Sequence, residues 1–435
     1  MKIDVIILGA GIGSRMKSDK AKALHSIGGF AMIDHLIYKA QILKAHNIVS
    51  VIGEEMVDLE NLISQRSKIA YQKVRDGSAS AVLCAKDILK NTTSDITLIL
   101  YADTPLVDIE KLQDLCQQVY QKVDIGLLAF LETEQNNYGK LVIDDNNYIQ
   151  KIVEYADAKE EEKTIDLCNS GVMAIKSKYI WDILSKISNK NNKNEYYLTD
   201  AISIASSLNL KCGYLLENKN NLAGANSKSE LQNLETHFQN LQREKFLNQG
   251  VQLIDKNSVY FSLDTIIGNN VIIYPNVFIN SGVIIGDNVE IQPFCVLQGA
   301  TIGKNSKIGP FARLRPQSVL QENTHIGNFV EIKKSIVGEN TKINHLSYIG
   351  DSNIGNNTNI GAGVITCNYD GKNKHTTTIG NDAFIGSNSS LVAPINIGDN
   401  TLIGAGSVIT KDVSNNSLGI SRSYQKNIEN YKKKQ

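Results

Sequence analysis

With 435 residues the chain has room for two or three domains with real cores, and its 45 basic side chains are matched by 45 acidic ones. That balance argues against a nucleic-acid binder, and the closing "YKKKQ" is only a small basic tail. Cys84, Cys116, Cys168, Cys212, Cys295 and Cys367 follow no CxxC or disulfide-framework spacing, and the apolar run "IDVIILGA" is too short for a signal or membrane segment. A cytoplasmic protein without membrane insertion is expected.

In chain order, "IDVIILG", "NIVSVIG", "KIAYQ" and "DITLILYAD" read as strands rich in β-branched residues. Between and after them, "AMIDHLIYKAQILKA", "MVDLENLISQ", "SASAVLCAKDILK" and "IEKLQDLCQQVYQK" carry apolar residues at helical spacing. This alternation predicts βαβ units over residues 1–226, with a mainly parallel sheet and helices on both faces. Ligands of such sheets sit at the carboxyl ends of the strands.

"LGAGIGSRMKSDKAKALH" lies between the first strand and the first helix. Gly9, Gly11 and Gly13 let backbone amides approach a phosphate closely, and Arg15 and Lys22 can neutralise its charge. The stretch is not a P-loop, since no GK[ST] follows, and it misses the dinucleotide fingerprint because the third glycine falls at position 13. Asp103 in "LILYADTPL" ends an apolar strand at the same edge, where a carboxylate requires a cation such as Mg²⁺. The blander readings are a glycine turn with solvated lysines and an aspartate capping the next helix.

Residues 227–249 read as one connecting helix, with Leu231, Leu234, Phe238 and Leu241 on one face and Gly250 as its cap. Thereafter the period is six. Ile267, Ile273, Ile279, Ile285, Ile291 and Leu297 follow one another at that step; after one dropped residue the pattern resumes from Ile302 to Ile332, continues through Val337, Ile343, Ile349, Ile354 and Ile360, and after an interruption runs from Ile379 to Ile409. Neither a helix nor an alternating strand explains this. A solenoid does, with three hexads to each triangular coil and the aliphatic residue pointing inward. "ITCNYDGKNKHTTTIG" (365–380) breaks the repeat and is expected to leave the prism as a loop. Arg313, Arg315, Lys333 and Lys334 fall on neighbouring coils as a cationic patch, and a histidine, here His345, is the side chain suited to general-base work near neutrality.

"YADTPL", "EYYLTD", "GPFARLRP", "GNFVEIKK" and "NIGAGVITCNYDGKNK" occur in this order along nearly the whole chain. On them the sequence resembles the bifunctional N-acetylglucosamine-1-phosphate uridylyltransferase/glucosamine-1-phosphate N-acetyltransferases. The resemblance implies a Rossmann-like α/β uridylyltransferase domain over 1–226, the connecting helix over 227–249, and a left-handed parallel β-helix acetyltransferase domain over 250–435. It implies a homotrimer that acetylates glucosamine 1-phosphate from acetyl-CoA. Mg²⁺-dependent uridylyl transfer from UTP then yields UDP-N-acetylglucosamine, a cell-envelope precursor, and pyrophosphate.

By the same resemblance, Leu8, Gly9, Ala10, Gly11, Arg15 and Lys22 hold the UTP phosphates, and Gln72, Gly77 and Ser78 the uracil. Tyr101, Ala102, Asp103, Gly139, Glu154, Asn169 and Asn226 complete the UDP-sugar site, with Asp103 and Asn226 as the metal ligands. His345 is the implied base, with Arg315, Lys333, Tyr348, Asn359 and Lys374 around the amino-sugar phosphate. Ala362, Asn368, Tyr369, Ser387, Ala405 and Arg422 match acetyl-CoA contacts. The sequence departs from the family pattern at Ala21, where proline is usual, at Ser80, where histidine is common, and at Lys140, where arginine is. Other readings stay open here: a single active site, a zinc centre built from His325, His345 and His375, or a non-catalytic trimeric scaffold.

Overall fold

The computed structural model describes residues 1–134, 136–429 and 431. Two compact units divide the chain, Met1–Phe238 and Gln239–Gln435.

In the first unit nine strands form one sheet: β1 (Ile3–Leu8), β2 (Asn47–Ile52), β3 (Lys68–Tyr71), β4 (Ile96–Tyr101), β5 (Ile125–Leu131), β6 (Lys140–Ile143), β7 (Ile149–Val153), β8 (Leu167–Lys176) and β9 (Cys212–Leu216). The strand order is β9-β5-β8-β4-β1-β2-β3, with the β6–β7 hairpin attached to β8. β1 lies parallel to β2 and β4, whereas β8 runs antiparallel to β4 and β5. Alternate residues of β1 enter different cores. Ile3, Val5 and Ile7 pack on one face with α1 (Met32–Ile42), while Ile6 packs on the other with α2 (Ser78–Cys84). A strand covered by helices on both sides must be apolar throughout, as "IDVIIL" nearly is. The next long helix, α3 (Ile109–Gln121), is capped by Asp108, whose carboxylate accepts from the N–H of Glu110 and Lys111 at 2.6 and 3.2 Å. Asp103 therefore does not cap that helix.

The second unit is a left-handed β-helix of two- to four-residue strands in three parallel sheets. Ile267, Ile285, Ile302, Leu320, Val337, Ile354, Ile379 and Ile397 follow one another in register up one sheet, one per coil. The step is 17 or 18 residues except between Ile354 and Ile379, where 25 are used. The extra length is shorter than the hexad pattern predicts. Ile365–Cys367 and Thr377–Ile379 remain strands of the prism, so only 368–376 leaves it, closed by an antiparallel bridge between Tyr369 and Lys374. At one corner Asn270, Asn288, Asn305, Asn323, Asn340 and Asn357 all take φ values of 55–59°. Asparagine tolerates this left-handed conformation, and its amides also ladder between coils, as from Asn270 to Asn288 at 2.9 Å and from Asn288 to Asn305 at 3.0 Å.

The connecting helix α4 runs Lys228–Asn248, and Gly250 follows it with φ 87°. Its buried face differs from the expected one in the second half. Leu234 and Phe238 are buried, but Leu241 is exposed, and Gln239, Gln242, Arg243 and Phe246 are inside instead. The cause is polar. Gln239 exchanges two hydrogen bonds with the Phe261 backbone at 2.8 Å each, and the Arg243 guanidinium donates to the carbonyls of Val259 and Asn257 at 3.0 and 3.1 Å.

Candidate active sites

The Gly9 N–H donates to the Val51 carbonyl at 2.8 Å, so the chain leaves β1 across the carboxyl edge of the sheet. There Leu8, Gly9, Ala10 and Gly11 line a cavity of about 200 Å³ together with Lys22, Gln72, Gly77, Ser78, Tyr101, Ala102 and Asp103. Gly13 has φ 71°, and a Cβ on it would press within 2.8 Å of Lys22 Cβ. The third glycine thus makes room for the lysine stem. Gln72 donates to the Gly77 carbonyl and to Ser80 Oγ, both at 3.1 Å, so Ser80 secures the glutamine where the family commonly has histidine. Burial pushes the Tyr101 phenol up to about 12, which keeps its proton in place as a donor.

Lys22 is ion-paired to Asp103 and donates to Asn226 Oδ1 at 2.7 Å. A carboxylate and an amide oxygen from segments far apart in sequence thereby converge on one cationic point. This sparse oxygen set fits Mg²⁺, which retains waters and takes further oxygens from phosphates. Ala21 stands at φ −51° and ψ 139°, within the range of the proline it replaces, and Lys22 reaches the site without the ring. Arg15 is exposed and lines neither this cavity nor the next.

An adjoining cavity of about 480 Å³ shares Tyr101 and Asp103 and adds Gly139, Glu154, Asn169 and Asn226. Each polar group is anchored. Glu154 accepts from Thr199 Oγ1 at 3.0 Å, and Asn169 Oδ1 accepts from the Gly171 N–H at 3.0 Å. Lys140 is almost wholly buried and absent from the lining, donating to Asn136 Oδ1 at 3.2 Å and to Cys168 Sγ at 3.3 Å. Sequence reading missed Asn137, Tyr138, Thr104, Glu230 and His237 in the walls, because loop and helix residues there follow no periodic pattern.

In the prism, His345 ends the strand Lys342–His345 and stands in register with Asn328 one coil earlier. Its Nδ1 lies 2.6 Å from Asn328 Oδ1, an oxygen that accepts, so the ring donates there through Nδ1 and, in the neutral imidazole, Nε2 is the acceptor. The next face of the prism carries Arg313 and Arg315, then Glu331 and Lys333, then Tyr348. The basic residues of this patch are partly paired. Glu331 lies within it, accepting from Arg315 at 2.8 Å and pairing with Arg313 at 3.7 Å, and Lys334 faces Asp351 at 3.5 Å. Asn359 is on the same sheet as His345.

Ala362, Ser387 and Ala405 each follow a glycine (Gly361, Gly386, Gly404) at equivalent steps of successive coils. A Cβ on Gly386 would collide with Ala405 N, so successive coils stack too closely at this step for a side chain. Arg422 donates to the Ala405 carbonyl at 2.7 Å, and Asn368 donates to Asp351 Oδ2 at 2.5 Å. In the loop the Lys374 ammonium sits 4.2 Å from the Tyr369 ring centroid. His375 pairs with Asp370 at 2.7 Å, and backbone N–H groups with that histidine hold the Asp370 carboxyl far below the usual carboxylate range. Among the described residues of the chain no three His, Cys, Asp or Glu side chains gather as a metal centre.

A glycine- and lysine-lined cavity at the carboxyl edge of the sheet in one unit and an exposed histidine on a hexapeptide prism in the other are the parts of a two-part transferase. Family profiles agree: the MobA-like NTP transferase domain matches residues 5–165, the bacterial transferase hexapeptide matches 264–299 and 376–411, and the GMPPB C-terminal domain matches 302–370. The chain is 42% identical to the bifunctional protein GlmU of Zymomonas mobilis, covering 99% of this chain and 96% of that one. Its relative in Bartonella bacilliformis is 43% identical over 97% and 94%, and that in Pseudomonas entomophila 39% over 100% and 98%. The chain belongs to this GlmU family of bifunctional acetyltransferase/uridylyltransferases.

Proposed function

We propose that the prism transfers acetyl from acetyl-CoA to glucosamine 1-phosphate and that the first unit then uses UTP to make UDP-N-acetylglucosamine. The observation that carries this reading is the orientation of His345. With Nδ1 committed to Asn328, Nε2 is the acceptor for the amine proton as nitrogen attacks the thioester carbonyl. The C–N bond forms, the C–S bond breaks, and CoA leaves as the thiol. Arg315, Lys333, Tyr348, Asn359 and Lys374 hold the sugar phosphate, while Ala362, Asn368, Tyr369, Ser387, Ala405 and Arg422 hold acetyl-CoA.

In the first unit Leu8, Gly9, Ala10, Gly11 and Lys22 cradle the triphosphate, and Gln72, Gly77 and Ser78 receive the uracil. Arg15 is assigned to the phosphates by the family pattern alone. Gly139, Glu154 and Asn169 orient N-acetylglucosamine 1-phosphate, whose phosphate oxygen attacks the α-phosphorus in line and displaces pyrophosphate. Asp103 and Asn226 would hold Mg²⁺, which supplies charge neutralisation between the phosphates. Lys22, which lines the same cavity, would offer its ammonium to a phosphate oxygen.

A homotrimer working in the cytoplasm completes the reading. It is supported by Phe294, Phe311 and Phe329, which stack at 4.9 and 5.1 Å along one prism corner and are each about half exposed. Mass-spectrometric product analysis with each of glucosamine 1-phosphate, acetyl-CoA, UTP and Mg²⁺ omitted in turn tests the scheme. UDP-N-acetylglucosamine must vanish with every omission. N-acetylglucosamine 1-phosphate must still accumulate without UTP or Mg²⁺, and failure to do so sinks the role of His345.

A further inference from the structure

We propose that Arg75 is a positioning residue for the nucleotide, locking the glycine-rich turn to the segment that receives the base. The proposal rests on the UTP reading of the cavity. Three loops leave neighbouring parallel strands at the carboxyl edge: the turn after Leu8, the loop that opens at Gly53, and the segment that opens at Gln72. Arg75 touches all three. It belongs to the segment between Gln72 and Gly77, its Nε–H donates to the Ala10 carbonyl at 2.7 Å, and its Nη2 is ion-paired with Glu55. The guanidinium also lies over Gly53, where a Cβ would collide with Nη2 and with the Glu55 carboxylate.

The peptide plane converts this contact into ligand geometry. A trans peptide holds its C=O and the following N–H pointing opposite ways, so fixing the Ala10 carbonyl fixes the direction of the Gly11 N–H. Gly11 lines the nucleotide cavity, and Ala10 is only 5% exposed, so its carbonyl depends on a protein donor. Without Arg75 that peptide can rotate, and the turn loses the preset array of amides that an anion needs. Arg75 does not line the cavity, which makes it a positioning group rather than a contact.

The test uses full-length Arg75→Met, Arg75→Lys and Gly53→Ala proteins. Arg75→Met raises KM for UTP about tenfold, with KM for N-acetylglucosamine 1-phosphate, uridylyl kcat and acetyl transfer all within about twofold. Arg75→Lys is intermediate, because the ammonium keeps the charge opposite Glu55 but lacks the planar fork that aims one N–H at the Ala10 carbonyl. Gly53→Ala displaces the guanidinium without removing it and reproduces the UTP effect. An unchanged KM for UTP in Arg75→Met and Gly53→Ala overturns the clamp. Equal rises in both KM values, or loss of acetyl transfer, do the same by making Arg75 a folding contact. Calorimetric titration of UTP into the same variants reads the clamp even where no UDP-sugar forms, which separates its failure from failure of the catalytic assignment.

Discussion

Two histidines show how placement decides what an imidazole does. His345 is exposed on the prism and tied through Nδ1 to Asn328, so Asn328→Ala frees the ring to rotate and exchange tautomers. Acetyl-transfer kcat is expected to fall about 10- to 100-fold in that variant, with uridylyl transfer unchanged. Asn328→Asp puts a carboxylate at the same atom and favours imidazolium. The acid limb of the acetyl-transfer pH profile then moves to higher pH, a shift absent if Asn328 only fills space. His35 is the opposite case. Burial, and then Lys39, lowers its pKa to about 4, and its Nε2–H donates to the Ile27 carbonyl at 2.9 Å. A depressed folded-state pKa means that the unfolded chain binds the extra proton. Stability is therefore full above about 6.5 and is lost as pH falls toward about 4, by on the order of 3 kcal/mol. Thermal melts across that window should be flatter for His35→Gln than for the parent, and parallel curves would remove His35 from the account.

Segments rather than single residues explain what was legible in the chain. The period of six was readable because the inward side chains between Ile273 and Ile409 recur at steps of six, with single-residue drops and one excursion, and burial permits few residue types there. The corner asparagines were not, since Asn270, Asn288 and Asn305 look like ordinary loop composition until φ is known. The second half of α4 misled because it buries Gln239 and Arg243 for their hydrogen bonds, against the rule that the apolar face is the inner one. Glu331 and Asn328 escaped notice because their partners Arg315 and His345 lie 16 and 17 residues away, a distance meaningful only once the coil length is fixed. In the first unit the turn, Lys22 and Asp103 were legible as motifs, whereas Arg75 belongs to none. The turn at Ala21 carries its own prediction. Its φ of −51° suits proline, so Ala21→Pro should raise the melting temperature of the first unit by about 1–3 °C through a less flexible unfolded chain, leaving uridylyl kcat intact. A lower melting temperature would show that the ring cannot be accommodated.

At the scale of the whole molecule, two activities on one chain give each experiment an internal control, because damage to one unit's chemistry can be read against the other's. Phe329→Ser places a hydroxyl in the stacked corner ladder, beside Phe311 at 5.1 Å. Light scattering should then report smaller assemblies and acetyl transfer should fall, while uridylyl transfer persists. An unchanged mass would detach the ladder from assembly. The prism also restricts how such a protein can change length over time. Its rungs repeat every 17 or 18 residues, and His345, Lys333 and Tyr348 are set by which side of the triangle they meet. Removing a whole coil beneath them translates the active face along the axis and keeps it facing the same way. Removing a single hexad between Lys333 and His345 would instead rotate the later residues by a third of a turn relative to the earlier ones and turn His345 away from Lys333. Insertions and deletions among the coils are thus accommodated in whole rungs or as excursions such as 368–376 that return to the rung they left, so length changes in this half of the chain are quantised.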